Sequence, residues 1–128
     1  MTTKEARMTT KQVADSIVKL CKEGKFDECL EKFYSPDIVS VEAGAPPGQS
    51  REMKGIEAVK GKAKWWAENH EVHSAVVEGP LVAGPYFSVM YKMDLTFKPE
   101  KRRFSMEEIA LYKVVDGRIV HEEFFYSM

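Results

Sequence analysis

The sequence predicts an α+β domain in which helices pack on one face of a curved antiparallel sheet. Two patterns carry this expectation. Apolar residues recur at intervals of three and four through the first 70 residues, apart from one short alternating stretch. Almost everything after His70 alternates with period two. A third observation orders the second half: Asp116-Gly117 is a tight-turn pair between two alternating runs, so those strands should form an antiparallel meander.

Residues 1–8 carry no such pattern and are expected to form a flexible tail ahead of a single domain over residues 9–128. Thr9 and Gln12 have capping-box spacing, and Val13, Ile17 and Leu20 follow at helical intervals with Val18 and Cys21 beside them. Gly24 should end this helix. A shorter helix with Phe26, Leu30 and Phe33 on one stripe should stop before Pro36. Asp37–Glu42 alternates and is rich in Val and Ile, which predicts a strand, and the Gly- and Pro-bearing "AGAPPGQSRE" predicts a loop. In "KGIEAVKGKAKWWAENH" a third helix buries Ile56, Val59, Ala63 and Trp66 and leaves Lys60, Lys62 and Lys64 to solvent, with Gly61 a weak point.

Four strands should follow: "EVHSAVVEG", "YFSVMYKMDLTF", "RFSMEEIALYKVV" and "RIVHEEFFY". On the last, strict alternation puts Ile119, His121, Glu123 and Phe125 on one face and Val120, Glu122, Phe124 and Tyr126 on the other. Both faces are mostly apolar and each holds one glutamate, so burying either face buries a carboxylate.

The chain has 128 residues, enough for one domain with its own core, and its 44% hydrophobic and 30% charged content is ordinary for a globular protein. A net charge of -1 argues against nucleic acid or a membrane surface as the main partner. No apolar run reaches the ~20 residues that span a bilayer. The polar N-terminus lacks a signal-peptide core, so a cytoplasmic protein is expected. Cys21 and Cys29 flank a Gly turn and are expected to be small core residues rather than a disulfide. His70 suits a helix C-terminus, His73 a strand near a pocket mouth, and His121 the convex face; no two have metal-ligand spacing, so no metal site is expected.

The order of elements, together with "KEGKFD", "FYSPDIVSVE", "GIEAVK" and "DGRIVHEEFFY", resembles the nuclear transport factor two-like superfamily, in its SnoaL-like and ketosteroid-isomerase-like branch. The similarity spans roughly residues 9 to 127. It implies a cystatin-like cone: three helices on the concave face of the sheet enclose a pocket, and the convex face often meets a second subunit. Ketosteroid isomerases carry an Asp base at the end of the first strand, and Glu42 matches it. Their oxyanion tyrosine corresponds to Ile17 here, and their protonated acid falls near Ala110, with Glu108 two residues earlier. SnoaL-like cyclases place His and Asp on the last strand where this chain has Glu122 and Phe124. The resemblance therefore implies the location of a reaction but not its residues.

On this reading Glu42 and Glu122 are the candidate catalytic carboxylates, since desolvation raises a glutamate toward the range useful for proton transfer near neutral pH. Glu108, Tyr112, Phe124, Tyr126, Tyr34, Trp65, Trp66 and His73 are the candidate lining. If Glu108 and Glu122 share a cavity, one of them is expected to hold a proton. The expected ligand is a small apolar carbonyl compound, handled without a cofactor. The competing expectation is a homodimeric binding module that performs no chemistry.

Overall fold

Helix formation begins where the chain can satisfy its own N–H groups. In the computed structural model, which describes residues 7–127, the Thr9 hydroxyl accepts from the Gln12 backbone N–H. The Gln12 side chain accepts from the Thr9 N–H in return. Helix α1 (Thr10–Lys22) runs from this cap and buries Val13, Ala14, Ile17, Val18 and Cys21. Gly24, at a φ of 74°, ends it. Helix α2 (Phe26–Phe33) buries Cys29 and Phe33 and leaves Phe26 exposed, contrary to the expected stripe.

Strand β1 (Tyr34–Val41) starts directly after α2, three residues earlier than expected. Its pairing is irregular between Tyr34 and Val39, which accommodates Pro36, a residue with no N–H for a regular ladder. The end of the expected loop and the first residue of the expected third helix fall in a short strand, β2 (Glu52–Lys54), antiparallel to β1. Helix α3 (Ile56–Asn69) follows Gly55 and buries Val59. Then come β3 (His70–Ala83), β4 (Tyr86–Phe97), a single 3-10 turn at Lys98–Glu100, β5 (Arg102–Val115) and β6 (Arg118–Phe125).

The six strands form one curved, unclosed sheet in the order β2-β1-β6-β5-β4-β3. The expected β3–β6 meander is present, but the sheet as a whole is mixed because β1 and β6 run parallel. That pairing brings the first strand beside the last, joining the chain's two halves. All three helices lie over the sheet, α1 against β3, β4 and β5 and α3 against β1, β2 and β3. Phe87, Val89, Tyr91, Ala110, Tyr112 and Val114 supply the sheet's side of the core. Each of the larger apolar side chains among them contributes roughly 1.5–3 kcal/mol through burial. No helix among the described residues is long and apolar enough to cross a membrane.

Residues 1–6 of the expected tail lie outside the described residues. Arg7 pairs with Asp116 at 3.0 Å, and Met8 packs on the core beside the β5–β6 turn. That turn has positive φ at both Asp116 (52°) and Gly117 (77°), as a tight hairpin of this kind requires.

Strict alternation fails at the start of β6. Val114 pairs with Ile119 and Lys113 with His121, so Val120 is an extra, bulged residue. The bulge turns Ile119 into the core, where it is fully buried, on the same side as Glu122 and Phe124. From His121 onward the expected parity holds. Ile119→Ala should therefore cost about 2–4 kcal/mol in urea unfolding, and Val120→Ala less than about 1.5 kcal/mol. The reverse ranking would restore an unbroken alternation.

Candidate functional site

A carboxylate removed from water must be matched by donors. Glu122, 2% exposed, meets this requirement with three side chains from β1 and α3. Its register neighbours are Ser40 on β1 and Tyr112 on β5. The Tyr34 hydroxyl, at the start of β1, donates to Glu122 Oε1, and the Ser40 hydroxyl donates to Oε2 at 2.7 Å. Lys62 of α3 donates to Ser40 Oγ at 2.7 Å, and its Nζ lies 3.9 Å from Glu122 Oε2 and 3.5 Å from Glu42 Oε1. The same ammonium sits 5.0 Å from the centre of the Phe124 ring.

Lys62 is not solvated, as its helix pattern suggested; its side chain is 21% exposed. The signal was available, because position 62 follows Val59 by three and precedes Trp66 by four, which places it on the apolar stripe. Ser40 gave less warning, as a buried serine inside a strand looks like ordinary filler. The expected partners of Glu122 were Glu108, Tyr112, Tyr126 or a ligand; Tyr34, Ser40 and Lys62 fill that role instead.

These groups form the polar end of a cavity of about 650 Å³ between helices and sheet. Glu42, Glu108, Glu122, Tyr34, Tyr112, Trp66 and Phe124 all line it, as Lys62 does. Three of the expected lining residues do not. Trp65 points away and is 54% exposed. It precedes Trp66 by one position on the helix, so its ring is rotated off the buried stripe. His73 is on the surface, with its Nε2 2.7 Å from Thr96 Oγ1. Tyr126 lines a separate cleft of about 550 Å³ at the end of β6, which shares Glu108 and Phe124 with the first. His70 closes α3 with its Nδ1 2.9 Å from the Trp66 carbonyl, and its ring stacks on Trp66.

The electrostatics separate the three carboxylates. Burial pushes Glu122 up, while Lys62, Tyr34 and Ser40 oppose the rise. Burial, with Glu122 next, pushes Tyr34 well above its ordinary value, so it remains a protonated donor. Glu108 is raised to about 7 by burial first and then by the negative charges of Glu42 and Glu122, with Lys62 opposing. No side-chain hydrogen bond or ion pair to Glu108 is found among the described residues. Glu42 is one-third exposed and tied to Lys62. Among the described residues no three His, Cys, Asp or Glu side chains converge as metal ligands.

A model of the SnoaL-like domain matches residues 8–126. Among solved structures, a protein of Mesorhizobium loti provisionally described as a SnoaL-like polyketide cyclase [carbohydrate phosphatase] is 40% identical, with a TM-score of 0.87 over 93% of this chain and 100% of that one. A Bacillus subtilis protein provisionally described as an isomerase is 16% identical, with a TM-score of 0.74 over 94% of this chain and 90% of that one. A Xanthomonas campestris protein of unknown function with a cystatin-like fold is 18% identical, with a TM-score of 0.75 over 94% and 92%. The last two are similar in fold alone. The curated proteins hold no match to this sequence.

The Glu108 shift fixes a sign for stability. Its folded pKa lies above its ordinary value of 4.5, so the native state binds the proton more tightly than the unfolded chain does. Glu108 therefore costs stability once the pH exceeds about 7, and the cost fades as pH falls from about 7 toward 4.5. Glu108→Gln should stabilise the protein by roughly 1–3 kcal/mol at alkaline pH and change it little in mild acid. Urea unfolding at both conditions checks this; an equal effect at both would mean that the carboxyl is not strained by its surroundings.

Proposed function

The chain belongs to the SnoaL-like domain family, and from that membership we propose a cofactor-free proton-transfer catalyst for a small apolar compound bearing an enolisable carbonyl. One observation carries this reading: Glu108, raised to about 7, lines the same cavity as the Lys62 ammonium. A base with such a pKa is partly charged and partly protonated at neutral pH, so it can both take and return a proton.

In this mechanism Glu108, as carboxylate, removes a proton from the carbon beside the carbonyl. Negative charge moves onto the carbonyl oxygen. Lys62, held in place by Ser40, Glu42 and Glu122, stabilises that oxygen in a largely apolar setting where a fixed charge acts strongly. The protonated Glu108 then returns its proton to a different atom, which completes an isomerisation. Alternatively the enolate attacks a second carbonyl of the same molecule, and a ring closes. The Mesorhizobium loti relative's description as a polyketide cyclase fits the second outcome.

This reading moves the proton-carrying role from Glu42 and Glu122, its first candidates, to Glu108. Both oxygens of Glu122 are already engaged by hydroxyl donors, and Glu42 is committed to Lys62. Their task here is to position the ammonium.

A binding module without chemistry is the second reading, favoured by the cavity's apolar walls at Val59, Trp66, Met93 and Phe124. In either case a second copy of the chain fits the convex face. Ile109, exposed there, pairs with Met90 and with exposed Phe125, and Val76 is exposed on the same side. Ile109→Lys should lower the sedimentation mass from dimer to monomer; an unchanged mass would place the contact elsewhere or remove it.

Proton exchange tests the catalytic reading without a known substrate. Small ketones and dicarbonyls that bind the protein are incubated with it in D₂O, and loss of the proton beside the carbonyl is followed by NMR. The rate should rise with pH through about 7, fall about 10²–10⁴-fold in Glu108→Gln, and fall about 10²–10³-fold in Lys62→Met. Bound compounds that exchange no faster than with the double variant would leave only the binding module.

A further inference from the structure

Two nucleophilic side chains in the cavity wall take no part in the proposed reaction. Cys21 in the last turn of α1 and Cys29 in α2 are both free and buried, and both line the cavity. The chain folds back between them: Gly24 N–H donates to the Cys21 carbonyl at 3.1 Å and Lys25 N–H to the Leu20 carbonyl at 2.8 Å. This sets α2 beside α1 and turns both thiols to the same wall. The neighbouring Cys29 thiol lowers the proton affinity of Cys21. Cys21 Sγ also lies 3.5 Å from Tyr91 Oη, which bonds Tyr112 Oη at 2.9 Å. Exposed Gly24, Lys25 and Phe26 line the same cavity, so solvent reaches its wall next to the sulfurs.

We propose that Cys21 and Cys29 form a modifiable dithiol that a small hydroperoxide entering the cavity closes to an intramolecular disulfide. Cys21 is the attacking sulfur, since Cys29 and the Tyr91 hydroxyl beside it favour its thiolate. Its hydrogen bond to Cys21, and then burial, push the Cys29 thiol up, which keeps that proton in place. The Cys21 thiolate attacks one peroxide oxygen, the O–O bond breaks, and the departing oxygen leaves as water or alcohol after taking a proton. Cys21 is then a sulfenic acid. The Cys29 sulfur attacks it, the S–O bond breaks, and a second water leaves with the Cys29 proton. Two sulfurs are oxidised and one peroxide is reduced. The product ties α2 to α1 and takes Cys21 from Tyr91, changing the cavity wall that both sulfurs line. This site is independent of the enolisation reading.

The test treats the full chain, under native conditions, with hydrogen peroxide, followed by alkylation and intact mass measurement. The protein should lose two hydrogens, about 2 Da, and both alkylatable thiols, and dithiothreitol should restore them. Because the fold brings the sulfurs together, the native chain should react at least ~10-fold faster than the same chain in urea. Cys29→Ser should stop at a dimedone-trappable sulfenic acid on Cys21. Thiols that survive, cross-links between chains, or a native rate no faster than the unfolded one would overturn the proposal. So would a Cys21→Ser variant whose remaining thiol oxidises at the wild-type rate; the comparison with urea stands even if that variant fails to fold.

Discussion

The structure depends on one buried carboxylate. Glu122 sits in the middle of β6 with almost no access to water, and the groups that make this tolerable come from distant parts of the chain. Tyr34 and Ser40 arrive on β1, 88 and 82 residues earlier, and Lys62 arrives on α3. A charge buried this deeply is costly if any partner is withdrawn. The cluster therefore locks the parallel β1–β6 pairing to the helix above it. It also sets the cavity's polarity, since every charged group at that end is either part of this cluster or shifted by it.

This arrangement sorts three similar acids into different tasks. Glu122 accepts two hydroxyl hydrogen bonds, Glu42 is partly wet and paired, and Glu108 has no side-chain partner among the described residues and two negative charges nearby. The side chains are chemically identical, so what separates them is their surroundings alone. Lys62 is the pivot. Without it, Glu42 and Glu122 would repel each other across the cavity, and the positive charge that a developing oxyanion needs would be missing.

Much of the fold was legible along the chain. The Thr9–Gln12 cap, the Gly24 stop, the long strands after His70 and the Asp116-Gly117 turn follow from local preferences that neighbouring residues enforce. The membership of Glu42, Glu108, Glu122, Tyr34, Tyr112, Trp66 and Phe124 in one cavity also followed from strand parity, helix spacing and family resemblance. Errors arose where a local rule met a distant partner. Ile119 changed face because a bulge at Val120 adjusts β6 to β5, which period-two counting does not register. Residues 52–54, where the expected loop met the expected helix, became a strand because β1 offered an edge. Trp65 and His73 were placed near the cavity by proximity in sequence, but one helical step and one strand step turned them to the surface.

What local chemistry sets in this protein is the type and order of its elements, because caps, turns and apolar periods act over a few residues. The ion pairs that Lys62 makes, the hydroxyls that hold Glu122 and the raised proton affinity of Glu108 belong to another level. Each depends on side chains tens of residues apart meeting in a dry interior, where the strength of a charge is set by what surrounds it and not by its neighbours along the chain.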